Sequence, residues 1–214
     1  MGAIINRPVR ILICSAILEE QELLSGLSTP GIQIVPIVCG VGNVSAAIAL
    51  TEYLQRNDAP DEILFVGSAG TYSAGLDQFK SGVSNVFFQR ELAVERGDSQ
   101  RPSLMPAFAE TRQGSIAAGL AKYLHALTGS TNCPDSITLI NPAGLFQEIA
   151  FENMECFGLG LVANKMNVPF TAFFALTNSV GPAGSESWRR NYKNYSEQLQ
   201  MGIVRYVTSL HKSI

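Results

Sequence analysis

Apolar runs of strand length alternate with helical patterns along the whole chain, and this alternation restricts the possible folds most strongly. The runs at 9–15, 31–40, 62–70 and 170–177 are almost continuously apolar, and amphipathic segments separate them. Such strands indicate a sheet that helices cover on both faces. The sequence therefore predicts an α/β fold, a single domain over residues 1–214, with a central mixed, mainly parallel sheet flanked by helices.

The remaining elements are assigned from periodicity and from turn residues. The segment 83–96 is predicted to form one long strand or two short ones, and 136–140 is predicted to form a short strand. Residues 97–112 are predicted to form a loop. The predicted helices are 17–27, 41–57, 113–127, 152–167 and 186–211. The first of them would place Leu18, Leu23, Leu24 and Leu27 on one face.

Composition excludes several classes of protein. The net charge of −3 and the absence of a basic block argue against nucleic-acid binding. No uncharged apolar run reaches the roughly 18 residues that a membrane helix needs, so no membrane partner is expected. The four cysteines lie too far apart in sequence for a zinc or redox motif, so no metal or cofactor is expected. Cys14 and Cys39 end apolar strand-like runs and are predicted to be core thiols, in a reducing cytoplasm.

Polar or glycine-rich steps follow three of the predicted strands. Glu19 and Glu20 follow the first, Ser68-Ala69-Gly70 ends the third, and Asn178 ends the last. Ligands bind at the carboxyl ends of strands in open α/β sheets. Taken singly, each step could equally be a solvated residue, a tight turn or a cap.

The segment ENMEC, at 152–156, raises a sharper question. Glu155 falls in the first turn of a predicted helix whose body is nearly all apolar. A carboxylate at that place is stabilised by the helix dipole and free amides, which is a sufficient structural reason. A ligand that donates hydrogen bonds would be an equally good reason.

In their order along the chain, SAILEEQELL, CGVGNVSAA, FVGSAG, ENMEC and TNSVG resemble the purine nucleoside phosphorylase and methylthioadenosine nucleosidase superfamily. The resemblance implies a purine nucleoside substrate and a homodimer or higher oligomer. It implies that Glu155 accepts hydrogen bonds from the ribose hydroxyls and that Met154 packs on the sugar. Ile17, Ala69 and Gly70 would also contact the substrate.

Hydrolases and phosphorylases of this superfamily differ in the nucleophile. The hexameric phosphorylases carry one arginine after the first strand and another before the GS turn, where this chain has Glu20 and Phe65. Carboxylates repel phosphate but can deprotonate water. The resemblance therefore implies hydrolysis, with Glu20 as general base and Ser68 helping to place the water.

Asn178 stands where adenine-releasing nucleosidases have an aspartate that protonates the purine. An amide cannot supply that proton, but it suits the N7 and O6 edge of a 6-oxopurine. ENME, Asn178 and Trp188, which would lie on the 5′ side of the nucleoside, most resemble the futalosine hydrolases. These enzymes release hypoxanthine in menaquinone biosynthesis. The expected reaction converts futalosine to hypoxanthine and dehypoxanthine futalosine.

Alternatives remain open at this point. Phe174 replaces an arginine that is usual in nucleosidases, so a nucleoside-binding protein without turnover is possible. A methylthioadenosine or adenosylhomocysteine nucleosidase is the other enzyme considered. Phe146 and Phe151 are candidates for the aromatic residue that stacks on the base.

Overall fold

The strands of the computed structural model, which describes residues 7–72, 80–142 and 144–210, form one mixed sheet. The strands are β1 Val9–Ser15, β2 Ser28–Thr29, β3 Ile32–Val38, β4 Glu62–Thr71, β5 Ser81–Ser84, β6 Val86–Phe88, β7 Phe108–Glu110, β8 Leu127–Thr128, β9 Thr131–Asn132, β10 Phe151–Glu152 and β11 Phe170–Ser179. The helices are α1 Asn43–Arg56, α2 Leu92–Glu95, α3 Ser115–Tyr123, α4 Cys156–Lys165 and α5 Gly184–Leu210.

The centre of the sheet is parallel. Strand β1 pairs in parallel with β3 and with β4, and β4 pairs in parallel with β11. Antiparallel pairs lie around this centre, between β4 and β10 and between β11 and β5. Strands β1, β4 and β11 therefore end side by side, as the sequence predicted for a ligand site.

Helices cover both faces of the sheet. On one face, α1 and α4 pack through residues such as Leu50 and Leu159 onto the buried side chains of the strands. On the other face, α3 and α5 contribute Leu120 and Ile203 to a second apolar cluster. Two-sided burial explains the continuous apolar strand sequences. The predicted α/β fold is confirmed, whereas the boundaries 1–214 stay a prediction.

The segment predicted as the first helix forms two 3-10 turns, Leu18–Glu20 and Glu22–Leu24, rather than one α-helix. Gln200 of α5 intervenes, because its side chain accepts a hydrogen bond from the Leu23 amide and donates one to the Glu19 carbonyl. As a result Leu18 and Leu23 are exposed, and Glu20 and Leu24 are buried. The prediction of one leucine face was wrong.

Three other assignments need correction. Residues 136–140 form no strand, since β9 takes the ladder position between β6 and β10. The predicted loop 97–112 contains β7, and the segment 83–96 divides into strands and the short α2. The last helix ends at Leu210, and position 211 lies outside the described residues.

The buried positions predicted for Cys14 and Cys39 are confirmed. All four cysteines are free and buried. None of the helices in the described ranges is long and apolar enough to cross a membrane.

Candidate active site

A cavity of about 340 Å³ opens where β1, β4 and β11 end. Its volume falls within the range of small-molecule sites, roughly 300–1,000 Å³. Apart from the two candidates for base stacking, the residues that the sequence analysis proposed for the site all line this cavity: Ile17, Glu20, Ser68, Ala69, Gly70, Met154, Glu155, Asn178 and Trp188. Segments up to 171 residues apart in the chain are thus brought together at the predicted sheet edge.

Glu20 is a buried carboxylate, and only one of its two oxygens is hydrogen-bonded to the described residues. The Oε1 atom accepts hydrogen bonds from the Ser68 amide and the Ser68 hydroxyl, both at 2.9 Å. The Oε2 atom is buried and has no hydrogen-bond partner among the described residues. A buried carboxylate oxygen without a partner is costly, so this atom is suited to bind a water or a ligand donor.

Burial raises the pKa of Glu20 to about 7. The Ser68 hydroxyl lowers this pKa, the charge of Glu155 raises it, and the amides of Ser68 and Ala16 lower it further. Among the described residues, no cationic side chain offsets the effect of burial on this pKa. A carboxylate with this pKa changes its protonation state near neutral pH, which suits a general base.

Ser68 joins the carboxylate to the aromatic side of the cavity. Its hydroxyl donates to Glu20 and accepts a 3.0 Å hydrogen bond from the Trp188 indole nitrogen. The Trp188 ring in turn stacks on Tyr192 with centroids 4.4 Å apart. These contacts fix the rotamer of Ser68 and hence the orientation of Glu20.

Glu155 precedes its helix instead of lying within it, because α4 begins at Cys156. The predicted start at 152 was therefore wrong, and the Glu155 side chain does not cap its own helix. Its Oε1 accepts a 3.0 Å hydrogen bond from the Gly42 amide, and burial raises its pKa. Gly42 has a φ of 91°, a region that favours glycine, and in this conformation its amide points at the Glu155 carboxylate.

Asn153 holds Glu155 in place and was missed by the sequence analysis. Its Nδ2 donates to Glu155 Oε2 at 2.7 Å, and its Oδ1 accepts from the amides of Glu155 and Cys156. Each Glu155 oxygen therefore has one protein donor, and an ionised carboxylate can accept further bonds. The signal in the sequence was an Asn just before an apolar helix, the residue type that commonly binds free helix amides.

Asn178 lies at an irregularity in the sheet. The register between β11 and β4 shifts between Leu176 and Asn178, so that Asn178 pairs with Gly70. Thr177 donates a 2.8 Å hydrogen bond to Asn178 Oδ1, while Asn178 Nδ2 donates to the Ser179 carbonyl at 3.1 Å. A β-bulge of this kind redirects a side chain, and here the redirected amide faces the cavity.

Phe146 and Phe151 do not line the cavity and belong to the core. Both are almost fully buried, with Phe146 against Tyr72 and Phe151 against Phe174. Phe174 is itself buried between aromatic rings. The proposal that either Phe146 or Phe151 stacks on the base is therefore corrected, since both rings are buried against other aromatic side chains outside the cavity.

Further lining residues, which the sequence analysis did not propose, come from loops, from β10 and from the start of α5. They supply apolar surface, four polar or acidic side chains and one cation: Ala16, Val41, Ile137, Thr138, Glu152, Asn153, Val180, Gly181, Gly184, Ser185 and Arg189. Arg189 is the one basic residue among the described residues that line the cavity. It is exposed, which places it at the rim.

Comparison with known proteins identifies relatives over nearly the whole chain. A family model described as Phosphorylase superfamily matches residues 22–208. A 5′-methylthioadenosine/S-adenosylhomocysteine nucleosidase of Bacillus cytotoxicus is 21% identical over 196 residues, which is 86% of this chain and 83% of the relative. The relatives thus carry the name of nucleosidases, in agreement with the predicted type of enzyme.

Solved structures show the same fold. The nucleosidase of Neisseria meningitidis in complex with methylthio-immucillin-A has a TM-score of 0.77 at 19% identity and covers 94% of this chain and 99% of its own. The futalosine hydrolase of Helicobacter pylori strain 26695 has a TM-score of 0.75 at 17% identity, with 96% and 98% covered. The two kinds of hydrolase therefore resemble this chain to a similar degree.

Proposed function

The chain belongs to the phosphorylase superfamily, and from this premise we propose that it hydrolyses the N-glycosidic bond of a 6-oxopurine nucleoside, with futalosine as substrate. The observation that carries the proposal is the pair of buried carboxylates, Glu20 and Glu155, at the inner end of the cavity. Glu20 has an oxygen free to take a proton, and Glu155 has capacity to accept hydrogen bonds from ribose.

In the proposed reaction Glu20 removes a proton from a water molecule as the water oxygen bonds to C1′ of the ribose. The bond between C1′ and N9 breaks, and its electron pair leaves with the base. The ribose carries positive charge in the transition state, and the negative Glu155 stabilises it. The proton held by Glu20 then returns to solvent or to the departing base.

The surroundings of the two carboxylates favour water over phosphate. A phosphorylase needs arginines and amides aimed at an anion. In the part of the cavity that the structure describes, Arg189 at the rim is the basic side chain, and Glu20 and Glu155 occupy the interior. A phosphate beside two carboxylates would be repelled.

Asn178 supports a 6-oxopurine as the leaving base. Its amide cannot protonate the base, but it can rotate from its local hydrogen bonds to donate to N7 or O6. Without prior protonation, a 6-oxopurine leaves more readily than adenine does, because O6 delocalises the negative charge of the departing base. This chemistry fits a site whose residue at this position is an amide and not an acid.

The rim favours a nucleoside with an acidic aromatic group on its 5′ side, as in futalosine. Trp188 and Arg189 are adjacent there, an aromatic surface beside a cation. We expect Arg189→Ala to raise KM for futalosine about 10-fold and to leave KM for inosine unchanged, because only futalosine carries a carboxylate. Steady-state kinetics with both substrates measures this.

Arg190→Ala is the matched control for that experiment. Arg190 is bonded to Glu186 and does not line the cavity, so both KM values should stay at the wild-type level. Equal losses for futalosine and inosine in Arg189→Ala would contradict recognition of the carboxylate.

Base release tests the proposed function as a whole. Futalosine, inosine, adenosine and methylthioadenosine are each incubated with and without phosphate, and the products are separated by chromatography. Hypoxanthine from futalosine, independent of phosphate, is the expected result. Ribose 1-phosphate would instead show a phosphorylase, and tight binding without product would show a nucleoside-binding protein.

A methylthioadenosine or adenosylhomocysteine nucleosidase is the second candidate. It is favoured by relatives that bear this name and by the apolar side chains of Ile17, Val41 and Ile137 along the cavity, which would suit a thioether. Faster release of adenine from methylthioadenosine than of hypoxanthine from futalosine would establish it.

We also propose that the chain forms a homodimer through the start of α1. Val41, Val44 and Ile48 lie three and four residues apart and are 57%, 71% and 56% exposed. Exposed apolar patches commonly mark interfaces. We expect the wild-type protein to be a dimer and Val44→Asp to be a monomer by size exclusion with light scattering.

Gln198→Asp, which also introduces an aspartate but on the exposed side of α5, is the control and should stay dimeric. A monomeric wild-type protein would contradict the proposed interface.

A further inference from the structure

Glu152 and Asn178 lie on either side of Gly70, one on each neighbouring strand. Strand β10 pairs Glu152 with Gly70, and β11 pairs Asn178 with the same glycine. Directly paired residues project from the same face of a sheet. Two strand spacings separate the two backbones by about 10 Å.

The glycine between them lets two side chains approach the strand closely. A Cβ on Gly70 would lie 2.9 Å from Val180 Cγ2 and 3.0 Å from Asn178 Nδ2. Only glycine therefore allows the Asn178 amide to lie this close to the strand. The Glu152 carboxylate and the Asn178 amide both line the cavity beside this glycine.

The Glu152 carboxylate is held firmly by three donors. Tyr72 and Thr138 donate their hydroxyl protons to Oε2, at 2.5 Å and 2.6 Å, and the Thr138 amide lies 3.4 Å from Oε1. Asn132 supports Tyr72 with a 3.1 Å hydrogen bond to its hydroxyl oxygen. The network orients Glu152 without neutralising it, because none of these partners is a cation.

This network presents an acceptor to the cavity. With Oε2 accepting from two hydroxyl groups, Oε1 has, among the described residues, only the long contact to the Thr138 amide and retains acceptor capacity. Both Glu152 and Thr138 line the cavity. The proposed chemistry at C1′ uses Glu20 and Glu155, so Glu152 has no part in it.

We propose that Glu152 selects the base by accepting a hydrogen bond from N1–H of a 6-oxopurine, while Asn178 binds the O6 and N7 side of the same edge. This inference rests on the proposed function and names the residue that distinguishes hypoxanthine from adenine. Adenine has a lone pair at N1, which would face the carboxylate lone pairs and be repelled. A site with a fixed hydrogen-bond acceptor rejects the analogue that lacks the matching donor.

The test compares inosine with adenosine, which share one sugar, in the wild-type enzyme and in Glu152→Gln. A glutamine can donate to N1 of adenine as well as accept. The ratio of kcat/KM for inosine to that for adenosine is expected to fall about 10- to 100-fold in the variant. An unchanged ratio would overturn the proposal, whatever happens to the absolute rates.

Tyr72→Phe separates direct recognition from support of the fold. It keeps the ring that packs on Phe146 and removes one donor to Glu152. Its ratio is expected to stay within about 3-fold of the wild-type ratio, because N1–H still meets a carboxylate. A ratio change as large as that of Glu152→Gln would assign the effect to the network and overturn direct recognition.

Calorimetry with the free bases gives a readout that does not depend on turnover. Wild-type protein should bind hypoxanthine more tightly than adenine, and Glu152→Gln should lose that preference. If the wild-type protein releases no base from any nucleoside, the proposed function fails, yet the calorimetry still tests Glu152. Equal affinity of the wild-type protein for both bases would overturn the inference alone.

Discussion

Replacing Glu20 by glutamine is expected to lower kcat at least about 100-fold, the effect of losing a general base. The glutamine carbonyl can still accept the two bonds from Ser68, so the cavity should keep its shape. Initial rates of hypoxanthine release at saturating futalosine measure the change. Glu19→Gln, an exposed neighbour, is the matched control and should retain the wild-type rate.

The pH dependence of the wild-type enzyme supplies a second check. Because the base must be ionised and burial raises the pKa of Glu20 to about 7, kcat/KM should rise as the pH increases through 7. A raised carboxyl pKa also means that the folded state binds more protons than the unfolded state, so Glu20 weakens the fold as the pH rises from 4.5, the ordinary pKa of a glutamate, through 7. Glu20→Gln should therefore melt no lower than wild type at pH about 8. If Glu20→Gln released hypoxanthine at the wild-type rate, Glu20 would be excluded as the general base.

Replacing Glu155 by glutamine is expected to lower kcat/KM for futalosine about 100- to 1,000-fold. The variant loses the negative charge that faces the ribose in the transition state and one set of acceptors for its hydroxyls. The amide can keep one bond to the Gly42 amide or to Asn153, which limits the structural effect. Kinetics with ribose and 2′-deoxyribose nucleosides measures the role directly.

The wild-type enzyme should prefer the ribose substrate, and Glu155→Gln should lose most of that preference. The variant should also shift the rise of the pH profile below 7, since the charge of Glu155 raises the pKa of Glu20. A variant with full preference for ribose and an unchanged pH profile would show that Glu155 has only a structural role.

The fold could be predicted from the sequence because its signals are local. Nearly continuous apolar runs such as 170–177 identify buried strands wherever the chain places them. The assignments that failed depend on distant partners. The residues of 17–27 do not form an α-helix because Gln200, far along the chain, binds their backbone. The run 136–140 is apolar but unpaired, because β9 already occupies the ladder.

The sequence by itself determined which polar residues follow the strands, and Glu20, Ser68 and Asn178 meet in one cavity for that reason. Only the tertiary structure decided how they act on one another. It leaves one oxygen of Glu20 without a partner, binds Glu155 to the Gly42 amide, and sets Glu152 and Asn178 on either side of Gly70. These relations depend on strand register and on contacts between segments more than 80 residues apart, which no local pattern specifies.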